Sequence, residues 1–479
     1  MKHQQYIKII FLSLGFISSF AYGQKMSMYN MDEVRDVSSL ELEVLRDWHS
    51  VATTPATQQK IVEITLCDFE NGRKVRIPVT YVVPDANQAC NFIVSSGNLG
   101  PTVYKEFDDL KTKMLENGVG FVLPALGPIR KMKPAGPQLD AEMQQLFKKT
   151  SNMKYTSPWL WGATYMRATT AALSETEHFL DEKIACDGRS KSGLASAIAM
   201  IHYPEVTGLY ARVWPSATFP EYFSKAYKEK VEQDNKTFYQ QLAAGEIANL
   251  GTIDDDANAE MRKRAEQMVA KEKYPKYSNR STKELRSMIL VTENLDVLEK
   301  KGAQYYFFVG TNDNLTMDVP LLAERYPDHP ITYYPGGRHG GKPSLLGVSV
   351  TPDSEEAKAS RIAFFSEFYL GENAVMEKPD LQYAYQSEGR TISVTVSFSE
   401  DAPEKVALHY AFDRFAAGSV GYEYDVWEQQ AMKKKNDRLW KLDVTVPDHV
   451  KTVSMLSFQE GDKYVKSYSS SNYITVLTD

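Results

Sequence analysis

The chain has 479 residues, more than a single core of ordinary size holds, so two domains are expected. Hydrophobic residues make up 43% and charged residues 24%, which is a globular composition and excludes a disordered or collagen-like chain. The net charge of −7 argues against a general nucleic-acid binder, and three cysteines are too few for a disulfide scaffold.

The first 23 residues read as a signal peptide. Lys2 and Lys8 form a positive start, Ile9 to Ala21 is apolar but short for a membrane span, and Ala21-Tyr22-Gly23 puts small residues at the cleavage positions. Cleavage after Gly23 leaves Gln24 as the new N-terminus. No cysteine follows to carry a lipid, and no later segment is apolar enough to span a bilayer. The mature chain is therefore expected to be soluble and exported, to the periplasm or beyond the cell.

Residues 61–66 and the alternating Val75, Ile77, Val79 and Tyr81 predict two strands joined by a turn at Glu70-Asn71-Gly72. Cys67 and Cys90 flank this hairpin, and their pairing or their burial as free thiols both remain open. Phe92-Ile93-Val94 is a short strand running into the loop Ser95-Ser96-Gly97-Asn98-Leu99-Gly100-Pro101. A helix is predicted over 107–117 and a buried strand over 118–124. A long helix follows over 161–180, then a strand over 183–186, a helix over 192–201 and a strand over 209–214. Strands alternating with helices imply a mostly parallel sheet covered on both faces.

Residues from about 219 to 300 are charged and helical in propensity, broken at Asp254-Asp255-Asp256. An insertion of this size between sheet strands reads as a helical cap, or as a solvated elaboration without a gating role. The sheet resumes with strands over 304–309 and 331–334, and a helix over 355–369 closes a domain spanning 24–376. Lys378-Pro379 marks a linker. In 379–479 the period becomes two, at Ile392, Val394, Val396 and Phe398 and again over 406–412, 439–446 and 453–458. Turn residues recur every ~10–15 positions, as in a small Ig-like β-sandwich.

The stretch Ile184-Ala185-Cys186-Asp187-Gly188-Arg189-Ser190-Lys191-Ser192-Gly193-Leu194 reads as strand, tight turn, helix. In such a nucleophile elbow the serine takes a strained backbone conformation at the sheet edge, and its neighbours two positions away must be small. Gly188 and Ser192 meet that need, although glycine is usual where Ser192 stands and comes one residue later, at Gly193. Cys186, in the apolar strand before the turn, reads as a packing residue.

A serine hydroxyl needs a base, and in this fold the chain order is serine, acid, histidine. His339, in the Gly-rich loop 336–341 after the last strand, fits the base, with His329 as the rival. Asp313, just after the strand 304–309, fits the acid that holds the imidazole tautomer, with Asp318 as the alternative. The oxyanion hole would use backbone N–H groups of Lys191, at a helix N-terminus, and of Asn98 or Leu99. The Lys191 ammonium either adds charge there or is a surface group. These pieces together predict an α/β-hydrolase fold: a central sheet, a helical cap insertion and a C-terminal β-sandwich.

Gly188-x-Ser190-Lys191-x-Gly193, preceded by the run Ser157-Pro158-Trp159-Leu160-Trp161-Gly162-Ala163-Thr164-Tyr165-Met166-Arg167-Ala168, resembles the PhoPQ-activated pathogenicity-related proteins. The resemblance implies an α/β-hydrolase core followed by a β-sandwich over nearly all of the mature chain. It carries Ser190 over as the nucleophile, with Asp313 and His339 matching by context. The Gly-x-Ser-Lys-x-Gly string is also similar to that of some secreted serine aminopeptidases and, more distantly, of glucuronoyl esterases.

Trp159 and Trp161 line a substrate cleft or pack the long helix, the second being favoured. No metal-ligand spacing and no phosphate loop occurs, so no cofactor is expected. The expected activity is hydrolysis of an ester or amide bond in a small-molecule, peptide or glycan-ester substrate. The alternative is a non-catalytic envelope or glycan-binding protein on a hydrolase scaffold.

Overall fold

The computed structural model describes residues 29–97 and 100–126 apart from 71 and 87, and 142–212 apart from 144, 148 and 151. It further describes 233–246 apart from 234, 235 and 238, then 255–274, 291–310 apart from 292 and 293, 331–334, 355–372, 381–398, 406–412, 427–448, 452–459 and 473–475.

After a short helix α1 (Met31–Arg35), the strands β1 (Glu43–Val51), β2 (Thr57–Asp68), β3 (Lys74–Pro84) and β4 (Cys90–Ser95) lead to α2 (Asp109–Glu116) and β5 (Gly120–Pro124). Helix α3 (Ser157–Leu173), β6 (Phe179–Arg189), α4 (Lys191–His202) and β7 (Val206–Arg212) follow. Beyond them come α5 (Asp255–Ala270), α6 (Leu295–Lys300), β8 (Gln304–Gly310), β9 (Ile331–Tyr334) and α7 (Glu355–Leu370).

These strands form one nine-stranded sheet in the order β1-β2-β3-β5-β4-β6-β7-β8-β9. The first three strands pair antiparallel, as does β3 with β5, and every pairing from β5 to β9 is parallel. The central stretches of the parallel strands, such as Phe92-Ile93-Val94 in β4 and Ile184-Ala185-Cys186 in β6, are apolar because both faces are covered there. Phe92, Val94, Ile184, Cys186, Leu209 and Phe307 point to one core, shared with α3 and α4. Their neighbours Ile93, Ala185, Tyr210, Tyr306 and Phe308 point to the other, shared with Leu110 and Met114 of α2 and Phe365 and Phe368 of α7. Side chains alternate across the pleat, so a continuous apolar run serves both layers.

Helix α3 is fixed at its start by Thr156, whose Oγ1 accepts from the Trp159 N–H, and by Pro158 in the first turn. It therefore begins before Trp161 and ends at Leu173; the expected extension to residue 180 fails because β6 already starts at Phe179. Arg167, buried in α3, donates to the carbonyls of Thr65 and Glu33 and to Ser39 Oγ, tying the N-terminal segment to β2. Trp159 and Trp161 are core residues, and the Trp159 ring stacks on Tyr29 at 5.0 Å. Cys67, Cys90 and Cys186 are all free and buried, so the first two do not pair.

Within the 219–300 insertion, the described residues Tyr239, Leu242 and Ala265 form a small apolar cluster of their own. Helix α5 belongs to it, as the helical propensity of that stretch predicts.

The C-terminal strands are β10 (Leu381–Glu388), β11 (Thr391–Phe398), β12 (Val406–Phe412), β13 (Trp427–Ala431), β14 (Lys433–Asn436), β15 (Leu439–Thr445), β16 (Thr452–Gln459) and β17 (Tyr473–Thr475). They make two antiparallel four-stranded sheets, β10-β11-β15-β14 and β13-β12-β16-β17. Ile392, Val394, Trp440 and Leu442 of the first share one core with Val406, Leu408 and Val453 of the second. Lettered in chain order, with β13 as C′, these sheets are A-B-E-D and C′-C-F-G, which is the immunoglobulin-like arrangement.

Candidate active site

The parallel strand β6 ends at Arg189, and Ser190 stands alone between it and the first residue of α4, Lys191. Ser190 has φ 56° and ψ −121°. A serine gains nothing from that region, which costs about 1–3 kcal/mol and persists only when the surroundings enforce it.

The enforcement is visible residue by residue. The Ser190 N–H donates to the Arg212 carbonyl at the end of β7, at 3.1 Å. The Ser190 carbonyl accepts from the Leu194 N–H in the first turn of α4, at 3.0 Å. Ser192 folds its hydroxyl back onto the strand end, accepting from the Arg189 N–H at 2.8 Å and donating to the Arg189 carbonyl at 2.7 Å. Gly188 lets the helix pass close by: a Cβ there would lie 2.2 Å from the Ser192 oxygen. Gly193 is less constrained, because a Cβ at that position meets nothing nearer than 3.5 Å. The strained serine, a strand before it, a helix after it and the strand order of the sheet together decide the fold.

This is an α/β-hydrolase fold, with Ser190 at the strained bend between strand β6 and helix α4.

Beneath the elbow lies a buried ion pair. Asp187, 2% exposed, receives Arg361 Nε at 3.0 Å on Oδ1 and Arg361 Nη2 at 2.6 Å on Oδ2. Ser95, the last residue of β4, donates its hydroxyl to Asp187 Oδ2 at 2.9 Å. Burial pushes the Asp187 carboxyl up, but the Arg361 and Arg212 charges and these hydrogen bonds outweigh it and hold the group below the usual carboxylate range. Arg361 also reaches Asp108 Oδ2 at 3.4 Å. Asp108 is opposed by burial yet held down at about 2 by Lys111 and Arg361.

At the far end of α4, Lys301 donates to the Met200 and Tyr203 carbonyls, the latter at 2.7 Å. Burial pulls its ammonium down to about 8. It satisfies carbonyls that a helix C-terminus leaves open and steadies the helix that starts at the elbow.

Of the residues singled out in the sequence, Ser190 sits at the turn and Lys191 at the start of α4, where the sequence put them, and Cys186 packs in the core before them. Asn98, Leu99, Asp313, Asp318, His329 and His339 lie outside the described residues. The strands leading to Asp313 and His339 are described and end on the same edge of the sheet as the elbow. Arg189 pairs with Arg212, Arg212 with Phe308 and Phe308 with Thr332, so Ser190, Gly310 and Tyr334 leave the sheet at similar levels. Among the described residues no group of His, Cys, Asp and Glu could hold a metal ion, and no helix is long and apolar enough to cross a membrane.

Sequence reasoning did not find the partners of Asp187. Ser95 and Arg361 lie 92 and 174 positions from it, and nothing local in the chain signals that they meet.

No family model and no curated protein sequence matches this chain. Among solved structures, it is similar to a CE15 glucuronoyl esterase from Teredinibacter turnerae T7901, at 13% identity and TM-score 0.34, over 60% of this chain and 65% of that one. Acetyl xylan esterase 1 from Thermoanaerobacterium sp. JW/SL YS485 is similar at 13% identity and TM-score 0.33, over 72% and 96% of the two chains. A glucuronoyl esterase from Solibacter usitatus is similar at 12% identity and TM-score 0.37, over 71% and 91%.

Proposed function

We propose that this chain is an exported serine hydrolase that cleaves an ester or amide bond through an acyl-enzyme. The single observation that carries the reading is the φ of 56° at Ser190, held between β6 and α4. Such strain is retained where a side chain must be presented at a sheet edge for reaction.

Ser190 Oγ attacks the substrate carbonyl while His339 takes its proton. The negative charge that develops on the carbonyl oxygen is received by the Lys191 N–H, at the positive end of α4, and by an N–H of Asn98 or Leu99. His339 then returns the proton to the leaving group, and the acyl-enzyme is hydrolysed by water with the same histidine as base. Asp313 orients the imidazole and stabilises its charged form.

The spacing allows this. Three strand intervals separate β6 from β9, about 14 Å. His339 follows Tyr334 by five residues, a reach of about 17 Å when extended. Gly336 and Gly337, between Tyr334 and His339, are residues that tolerate the backbone conformations such a return path needs.

Residues 1–23 supply the export signal in this reading, and small esters, peptides and glycan esters are the substrate classes. The Gly188-x-Ser190-Lys191-x-Gly193 string resembles that of the PhoPQ-activated pathogenicity-related proteins, which supports this reading. A screen of these substrates with wild type and with His339→Ala tests the assignment. Turnover in the wild type and a loss of several orders of magnitude in the folded variant is the expected result; equal turnover in both contradicts it.

A further inference from the structure

Two strand ends must be held at a fixed spacing for the chemistry just described. β6 delivers Ser190 and the Lys191 N–H; β4 delivers the chain that continues through Gly97 toward the second oxyanion donor. They are neighbours in the sheet, with Ser95 opposite Asp187 in the parallel register. Between parallel strands the backbone ladder alone sets this register, and it stops where the strands stop.

Side chains take over at that point. Asp187 Oδ2 accepts from Ser95 Oγ at 2.9 Å and from Arg361 Nη2 at 2.6 Å, while Oδ1 accepts from Arg361 Nε at 3.0 Å. A guanidinium bound by two nitrogens to one carboxylate has a defined plane, so the carboxylate cannot rotate away from Ser95. Arg361 is anchored in turn by α7, where Tyr369 Oη donates to the Phe92 carbonyl of β4 and accepts from the Ala185 N–H of β6. Two residues past Ser95, the Gly97 N–H donates to the Pro124 carbonyl at 2.8 Å, and a Cβ on Gly97 would lie 2.5 Å from the Leu123 oxygen. The β4 exit is thus pinned on both sides, to β6 by Asp187 and to β5 by its own backbone.

A core that needed only stability would be served as well or better by apolar residues here, since burying an ion pair roughly breaks even. The directional bonds to two different elements are what apolar packing cannot provide.

We propose that Asp187 is a positioning residue of the serine hydrolase chemistry, setting the β4 exit against the Ser190 elbow through Ser95 while Arg361 fixes its carboxylate. This rests on the nucleophile reading of Ser190. Ser95 is the site at which to test it, because removing one hydroxyl leaves the Asp187–Arg361 pair intact.

The test is the second-order rate of fluorophosphonate reaction at Ser190 for the full-length protein, Ser95→Ala and Ser95→Thr, alongside thermal melts. Ser95→Ala is expected to react about tenfold more slowly at a melting temperature close to wild type, and Ser95→Thr, which keeps the hydroxyl, to recover most of the rate. Wild-type rate in Ser95→Ala, with wild type itself labelled, overturns the positioning role alone. Equal slowing in both variants also overturns it, because the hydroxyl would then be irrelevant. No labelling of folded wild type overturns the nucleophile reading and this proposal together.

Discussion

Gly188 and Ser192 meet backbone to backbone across the elbow: a methyl group on residue 188 would sit 2.2 Å from the Ser192 oxygen and 2.5 Å from the Gly193 nitrogen. No rotamer change relieves such a clash, since both atoms belong to the main chain. The close passage of α4 over the end of β6, and with it the placement of the half-buried Ser190 at the bend, depends on the missing side chain.

Gly188→Ala is therefore expected to cost more than about 3 kcal/mol, either unfolding the protein or forcing the elbow open. Urea denaturation measures the first and fluorophosphonate reactivity the second. Gly193→Ala meets only ordinary contacts and is expected to cost about 1 kcal/mol or less, so the two glycines of the motif should behave differently.

Ser192 stands where the usual elbow has glycine, and its hydroxyl bridges the Arg189 N–H and carbonyl. Ser192→Ala keeps the volume and leaves both Arg189 groups without that partner, at an expected cost of about 1–2 kcal/mol by chemical denaturation.

Tyr369 links α7 to two strands through one hydroxyl. Tyr369→Phe leaves the Ala185 N–H without it and is expected to destabilise by about 1–3 kcal/mol, with the folded state otherwise unchanged by circular dichroism.

Asp108 caps α2, bonds Lys111 and faces Arg361. Its carboxyl sits at about 2 when folded, below the ordinary value of 3.8, so the unfolded chain takes up its proton first as pH falls. The stabilisation is complete above about pH 4 and is lost on acidifying toward pH 2. Melting temperatures of wild type and Asp108→Asn are expected to differ at pH 6 and to converge as the pH approaches 2.

The sheet was legible in the chain because the central stretches of its parallel strands, such as Phe92-Ile93-Val94 and Ile184-Ala185-Cys186, are buried on both faces and read as short apolar runs. The strand β1, Glu43 to Val51, was not, since it is an edge strand with most of its residues exposed and no alternation to mark it. The same holds for β14, four exposed residues of which three are lysines, a composition that guards a sheet edge better than it signals a strand. At the site, the elbow was legible because the strain imposes small residues at fixed offsets. The Ser95–Asp187–Arg361 linkage was not, because it joins three elements by contacts that exist only once the sheet has formed.

The most direct measurement is mass-spectrometric mapping of the adduct after the folded wild-type protein meets a fluorophosphonate. A single covalent adduct on the peptide containing Ser190, absent from Ser190→Ala, is the predicted result. A folded wild type that takes up no reagent, or takes it up at another serine with Ser190→Ala labelled equally well, would contradict the nucleophile assignment.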